Sequence, residues 1–102
     1  MLSKKEAAQA YAAVGSESRL SVLLLLVQTG DDGLTVGEIG HQLGIAASTL
    51  AHHLRYLVAA NMVLQEKQGR EVRNTANFDH LKVLGNYLLL ECCKNSNNNI
   101  VR

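Results

Sequence analysis

The sequence contains no proline and no tryptophan, and has only one phenylalanine and three tyrosines among 102 residues. Without proline nothing forces a helix to stop, so boundaries must come from glycines and from side chains that cap helix ends. The longest unbroken aliphatic run, Val22 to Val27, is far shorter than the ~20 residues needed to cross a bilayer. No basic-then-apolar segment opens the chain as an export signal would, so a cytoplasmic protein with no membrane partner is expected. Cysteine is confined to the adjacent pair Cys92-Cys93, which cannot build a disulfide framework because neighbours are bridged only through a strained ring. The pair reads as thiols, whether buried, reactive or metal-binding. There is no Gly-rich phosphate loop and no recognisable pair of catalytic carboxylates, and His41, His52, His53 and His80 lack the i, i+4 spacing of a helical metal site. These absences argue against an enzyme.

What is present suits one small domain, with 47% hydrophobic and 19% charged residues, enough for a packed core. Residues 1–94 are expected to form it. The polar stretch Asn95-Ser96-Asn97-Asn98-Asn99 marks 95–102 as a disordered tail. Formal charge is +1 overall but uneven: Arg55, Lys67, Arg70 and Arg73 against Glu66 and Glu71 give residues 41–73 a net +2, and no acid occurs from Ile45 to Gln65.

Residues 4–13 are strong helix formers ended by Gly15. Ser16 can cap a second helix in which Leu20, Leu23, Leu24 and Val27 fall at helical spacing, while Val22, Leu25 and Leu26 make it apolar on most sides. That pattern predicts a buried central helix. Thr29 to Gly33 reads as a loop, and Thr35-Val36-Gly37-Glu38 as a capping box opening a third helix that Gly44 ends. From about Ala46 to Ala59, Leu50, Leu54, Leu57 and Val58 mark an apolar stripe, with Ser48, Thr49, His52 and Arg55 on other faces. Two short helices joined by a tight glycine turn make a helix-turn-helix. Met62 to Lys67 and Glu71 to Thr75, around Gln68-Gly69-Arg70, read as a hairpin. Asn77 or Asp79 can cap a last helix from Phe78 to about Cys93. The fold expected is mainly α with a small β-hairpin, α-α-α-α-β-β-α, a dimeric winged helix-turn-helix.

At this point the chain resembles a family. Ala13 to Leu20 is similar to the segment that opens the second helix of ArsR-type regulators, and Leu34 to Ile39 to the start of their helix-turn-helix. Ser48-Thr49-Leu50-Ala51-His52-His53-Leu54-Arg55-Tyr56-Leu57 resembles their recognition helix, with Gly69-Arg70 at the expected distance. The resemblance spans roughly residues 7–93 and implies a sequence-specific transcription regulator, a repressor, bound to double-stranded operator DNA. A major groove admits one α-helix, and Ser48, Thr49 and His52 are short enough to reach base edges or phosphates. Arg55, Lys67, Arg70 and Arg73 would neutralise phosphates. His53, beside Leu54, reads as a hydrogen-bonded structural residue. The chain departs from the family at Ala46, Ala47 and Ala51, where polar residues are common; lacking a polar cap at Ala46, the recognition helix forgoes roughly 1 kcal/mol, and DNA shape is expected to carry part of the specificity.

The resemblance also bears on signals. The family's thiol site on the third helix is absent, since Thr35 to Leu43 contains no cysteine, and its zinc site on the last helix is poorly matched, with Asp79 directly before His80 and Leu88 where a ligand precedes Glu91. Cys92-Cys93 resembles the vicinal pair of some arsenic-responsive members, and soft thiolates suit trivalent arsenic or antimony. A third cysteine is missing, so either the ligand has two positions for sulfur, as in methylarsenite, or a third ligand comes from elsewhere. No resident cofactor is required. The alternatives are a thiol redox-responsive or non-metal-responsive repressor, and a winged-helix module for protein contact. Ala7, Ala8, Tyr11, Leu81, Leu84 and Leu88 exceed what one core can cover and are expected to line a homodimer interface that sets two recognition helices about one DNA turn apart.

Overall fold

The computed structural model describes residues 2–92; the expected tail and Cys93 lie outside them. Helices α1 (Lys4–Ala13) and α2 (Glu17–Thr29) lead through a single 3-10 turn at Gly30–Asp32 into α3 (Val36–Leu43) and α4 (Ala47–Ala59). Strands β1 (Val63–Gln68) and β2 (Glu71–Ala76) follow, then α5 (Phe78–Leu89). This is the expected order, and each helix begins where its local chemistry allows. At α3 the Glu38 N–H donates to Thr35 Oγ1 (3.2 Å) while the Thr35 N–H donates to Glu38 Oε1 (2.8 Å), so two otherwise unanswered backbone donors are each satisfied by the other residue's side chain. Ser3 and Glu6 do the same for α1. Ser16 accepts from the Arg19 N–H and Asn77 from the His80 N–H. Gly44 ends α3 at φ 66°, ψ 35°, the left-handed conformation that glycine reaches without a Cβ clash. Ala46, at the head of α4, makes no side-chain capping bond.

The core is built from one stripe of each helix, with Val22, Leu26, Ile39, Leu50, Leu57, Met62 and Val63 fully buried. The expectation of a helix α2 buried on most sides is corrected. Val22, Leu23 and Leu26 are buried, but Leu20, Leu24 and Val27, on the opposite stripe, are 37% to 48% exposed. A helix at 3.6 residues per turn offers more apolar faces here than the neighbouring elements cover.

The hairpin is in register from Val63 opposite Ala76 to Gln68 opposite Glu71, so only Gly69 and Arg70 connect the strands, one residue fewer than expected. Positive φ at Gly69 (64°) but not at Arg70 is the pattern of a type II′ turn, whose twist matches that of the strands. The base is clamped to the body by Leu34: its N–H donates to Asn74 O (2.9 Å) and its carbonyl accepts from the Asn74 N–H (2.8 Å). Asn74 is fully buried, donating through Nδ2 to Leu34 O and accepting from Gln65 Nε2, which satisfies an amide that would otherwise be costly to enclose. The close approach needs Gly33, where a Cβ would lie 2.5 Å from Asn74 O.

Helices α1 and α5 meet across the chain, the Tyr11 hydroxyl donating to Leu84 O at 2.7 Å. Ala7 (3% exposed) and Leu84 (4%) belong to the protomer's own core, which corrects their placement at a dimer interface: each is already covered by its own chain. Tyr11 and Leu81 are half-buried, while Ala8 and Leu88 are exposed. The end of α5 carries the largest uncovered apolar side chains, Leu88 (58%), Leu89 (69%) and Leu90 (66%). No single helix among the described residues is long and apolar enough to cross a membrane.

Candidate nucleic-acid interface

Helix α4 turns Leu50, Leu54 and Leu57 into the core. At about 100° per residue, Ser48, His52 and Arg55 fall on the opposite face, and all three are exposed. Thr49 is exposed too but sits about a quarter turn away on the flank. The outward face is thus three polar side chains with Ala51 at its edge, small enough to let the helix backbone approach a surface closely.

The cations of the hairpin divide. Opposed residues of an antiparallel ladder share a face and alternate along each strand. Val63, Gln65 and Lys67 therefore share one side with Val72, Asn74 and Ala76, while Glu66 shares the other with Arg73. Gln65 lines, with Arg55, Ala51 and Val58, a groove of about 420 Å³ between α4 and β1, so Lys67, two residues further along, lies on the side that looks toward Arg55. Arg70, exposed, stands at the hairpin tip.

Arg73 departs from the expected phosphate role. Its Nη1 is 3.2 Å from Glu38 Oε1 and donates to Gly33 O at 3.3 Å, tying the hairpin to the start of α3. The Thr35 N–H first, and also the Arg73 charge, hold the Glu38 carboxyl below the usual carboxylate range. With Glu66 across the ladder as well, the positive field of Arg73 is answered within the protein.

His53 departs as well: it is half-buried, but its enclosed Nδ1 has no hydrogen-bond partner, so it is held by packing and not by the bond expected of it. Reading the sequence alone gave no role to Tyr56. Its ring meets His52 edge-on at 5.0 Å between centroids and carries the Arg19 guanidinium 4.8 Å from its centre. The i, i+4 spacing of His52 and Tyr56 was the available signal. Cys92 is exposed in the turn after α5. Among the described residues no group of three or more His, Cys, Asp or Glu side chains could hold a metal ion.

A glycine-turned helix pair with a polar outward face on its second helix, beside a clamped two-stranded hairpin, is the geometry of a winged helix-turn-helix. The helix-turn-helix domain family matches residues 14–66. An ArsR-like transcriptional regulator from Rhodococcus sp. RHA1 is 28% identical over 84% of this chain and 78% of its own, with a TM-score of 0.76. Reduced HlyU from Vibrio cholerae is 27% identical over 86% of this chain and 90% of its own, TM-score 0.66. The homodimeric winged helix-turn-helix DNA-binding domain of a Mycobacterium bovis protein shares the fold at TM-score 0.70, with 17% identity over 96% of this chain and 89% of its own. No curated protein matches significantly. The chain belongs to the helix-turn-helix domain family and is a regulator of the ArsR type.

Proposed function

We propose that the protein is a homodimeric repressor that lays α4 in the major groove of operator DNA and carries out no catalysis. The observation that carries this reading is the face of Ser48, His52 and Arg55, directly opposite Leu50, Leu54 and Leu57, with Lys67 on the strand side that looks toward Arg55 and Arg70 exposed at the hairpin tip. Short donors in the first turns address base edges, and the longer cations on helix and hairpin address the backbone. The uncapped first turn of α4 adds N–H donors at the positive end of the helix dipole, where a phosphate oxygen is a favourable acceptor.

A second copy is assigned to the end of α5, where Leu88, Leu89 and Leu90 would otherwise stay in water; the Mycobacterium bovis domain of the same fold is homodimeric. Thiol chemistry at Cys92, with Cys93 beside it in sequence, is the signal we assign to this end. Its exposure and its closeness in the chain to the leucine cluster support this reading, since an adduct there would lie beside the proposed dimer surface. Gel-shift against the DNA upstream of its own gene, with salt varied and with arsenite, methylarsenite or oxidant added, tests both parts. Salt-independent or absent binding would return the chain to the class of protein-contact modules. Unchanged binding with all three reagents would remove the thiol signal.

A further inference from the structure

The end of α1, the start of α2 and the last turn of α4 enclose a groove of about 380 Å³ whose lining includes none of Ser48, His52 and Arg55. Its walls are largely alanine, including Ala12, Ala59 and Ala60, and its polar groups are Arg19, Tyr56 and Gln9. Arg19 is held from two sides. Its Nε–H donates to Ala13 O and Nη2 to Ala12 O at 3.4 Å, both on the final turn of α1, while its central carbon lies over the Tyr56 ring, 4.8 Å from the ring centre.

A guanidinium has five N–H donors. The remaining ones, on Nη1 and the second of Nη2, form the edge that grips a carboxylate with two parallel bonds. Among the described residues no carboxylate pairs with Arg19, in contrast to Arg73. A fixed cation at the mouth of an apolar cleft, with an aromatic ring beside it, selects charge and flat hydrocarbon together. A cleft of this volume lies at the lower end of small-molecule sites, which suits one or two fused rings. A bare inorganic anion would leave the alanine walls uncovered.

The geometry points to a binding site for a small aromatic carboxylate in this groove, with Arg19 taking the carboxylate and Tyr56 the ring. The site is separate from the cysteines. Its consequence rests on the DNA-binding reading: Tyr56 touches the His52 ring, so a ligand seated on Arg19 and Tyr56 disturbs the side chain one contact from the bases and weakens operator binding.

Binding itself is measured without DNA, by calorimetry of the full chain with 2-naphthoate and its neutral analogue 2-naphthamide. Naphthoate is expected to bind at one site per chain, about tenfold or more tighter than the amide. Arg19→Gln is expected to abolish that preference, and Ala59→Leu, which fills the groove from an exposed helical position, to abolish binding while leaving the melting temperature intact. Equal affinity for the amide, undiminished binding by Ala59→Leu, or no heat with naphthoate at millimolar concentration would each overturn the site. Operator affinity is then read with naphthoate present. A protein that binds naphthoate but no DNA keeps the site and loses only the proposed consequence.

Discussion

Arg70 and Arg73 stand three positions apart on one hairpin, yet the structure gives them different work, and salt titration separates them. Arg55, Lys67 and Arg70 are exposed with no acid paired to them among the described residues, so the proposed dimer offers three cations twice. With each phosphate contact adding about 0.9 to the slope of log K against log salt, that arrangement gives a slope near −5.4 and a loss of roughly 2,000-fold between about 50 and 200 mM salt. Arg70→Ala removes one contact per protomer, which brings the slope to about −3.6 and the loss over the same interval to roughly 150-fold. Arg73→Ala removes a bond to Glu38 and one to Gly33 O and is expected to lower the melting temperature while leaving the slope unchanged. Glu38→Gln, which releases Arg73 without deleting it, should not flatten the slope either. Fluorescence anisotropy of a labelled operator duplex across a salt series reads all three variants. Should Arg73→Ala flatten the dependence as much as Arg70→Ala, the division of the hairpin's cations would be wrong.

Gly33→Ala places a methyl group 2.5 Å from Asn74 O at a φ of +66°; destabilisation beyond about 2 kcal/mol is expected in urea denaturation, with operator binding lost as the hairpin detaches. Leu84→Ala is expected to destabilise the protomer by about 2–4 kcal/mol, whereas Leu88→Glu should leave the protomer folded and shift sedimentation toward monomer. Glu6 and Glu38 both titrate below the usual carboxylate range, held first by the backbone N–H of Ser3 and of Thr35. Because the folded state binds their protons less readily than the unfolded chain, their contribution is complete at neutral pH and is lost as pH falls from the ordinary carboxylate range through the depressed one. Melting temperature against pH should therefore slope less steeply there in Glu38→Gln, which removes one of the two titrating groups.

Local chemistry was legible in the sequence and distant pairing was not. The Thr35 and Glu38 box closes within four residues, and the outward set on α4 follows from the period of Leu50, Leu54 and Leu57, so both could be read from spacing. The ion pair of Arg73 with Glu38 joins residues 35 positions apart and the Tyr11 bond to Leu84 spans 73, separations that no periodicity encodes. Helix α2 failed differently: its pattern shows apolar stripes all round, but how many are covered depends on the number of neighbours. The same ambiguity put Ala7 and Leu84 at an interface when the protomer's own core takes them.

Ala46 leaves the recognition helix as the one long helix of the described fold whose leading residue supplies no acceptor of its own. The opening turn of that helix is completed by whatever oxygen arrives from outside. On the proposed docking, a duplex that offers a phosphate at that point would complete the turn as it binds, and one whose groove holds its phosphates a few ångströms away would not. Discrimination of this kind reads groove width before it reads any base, and it needs nothing more elaborate than an alanine in the place of a serine.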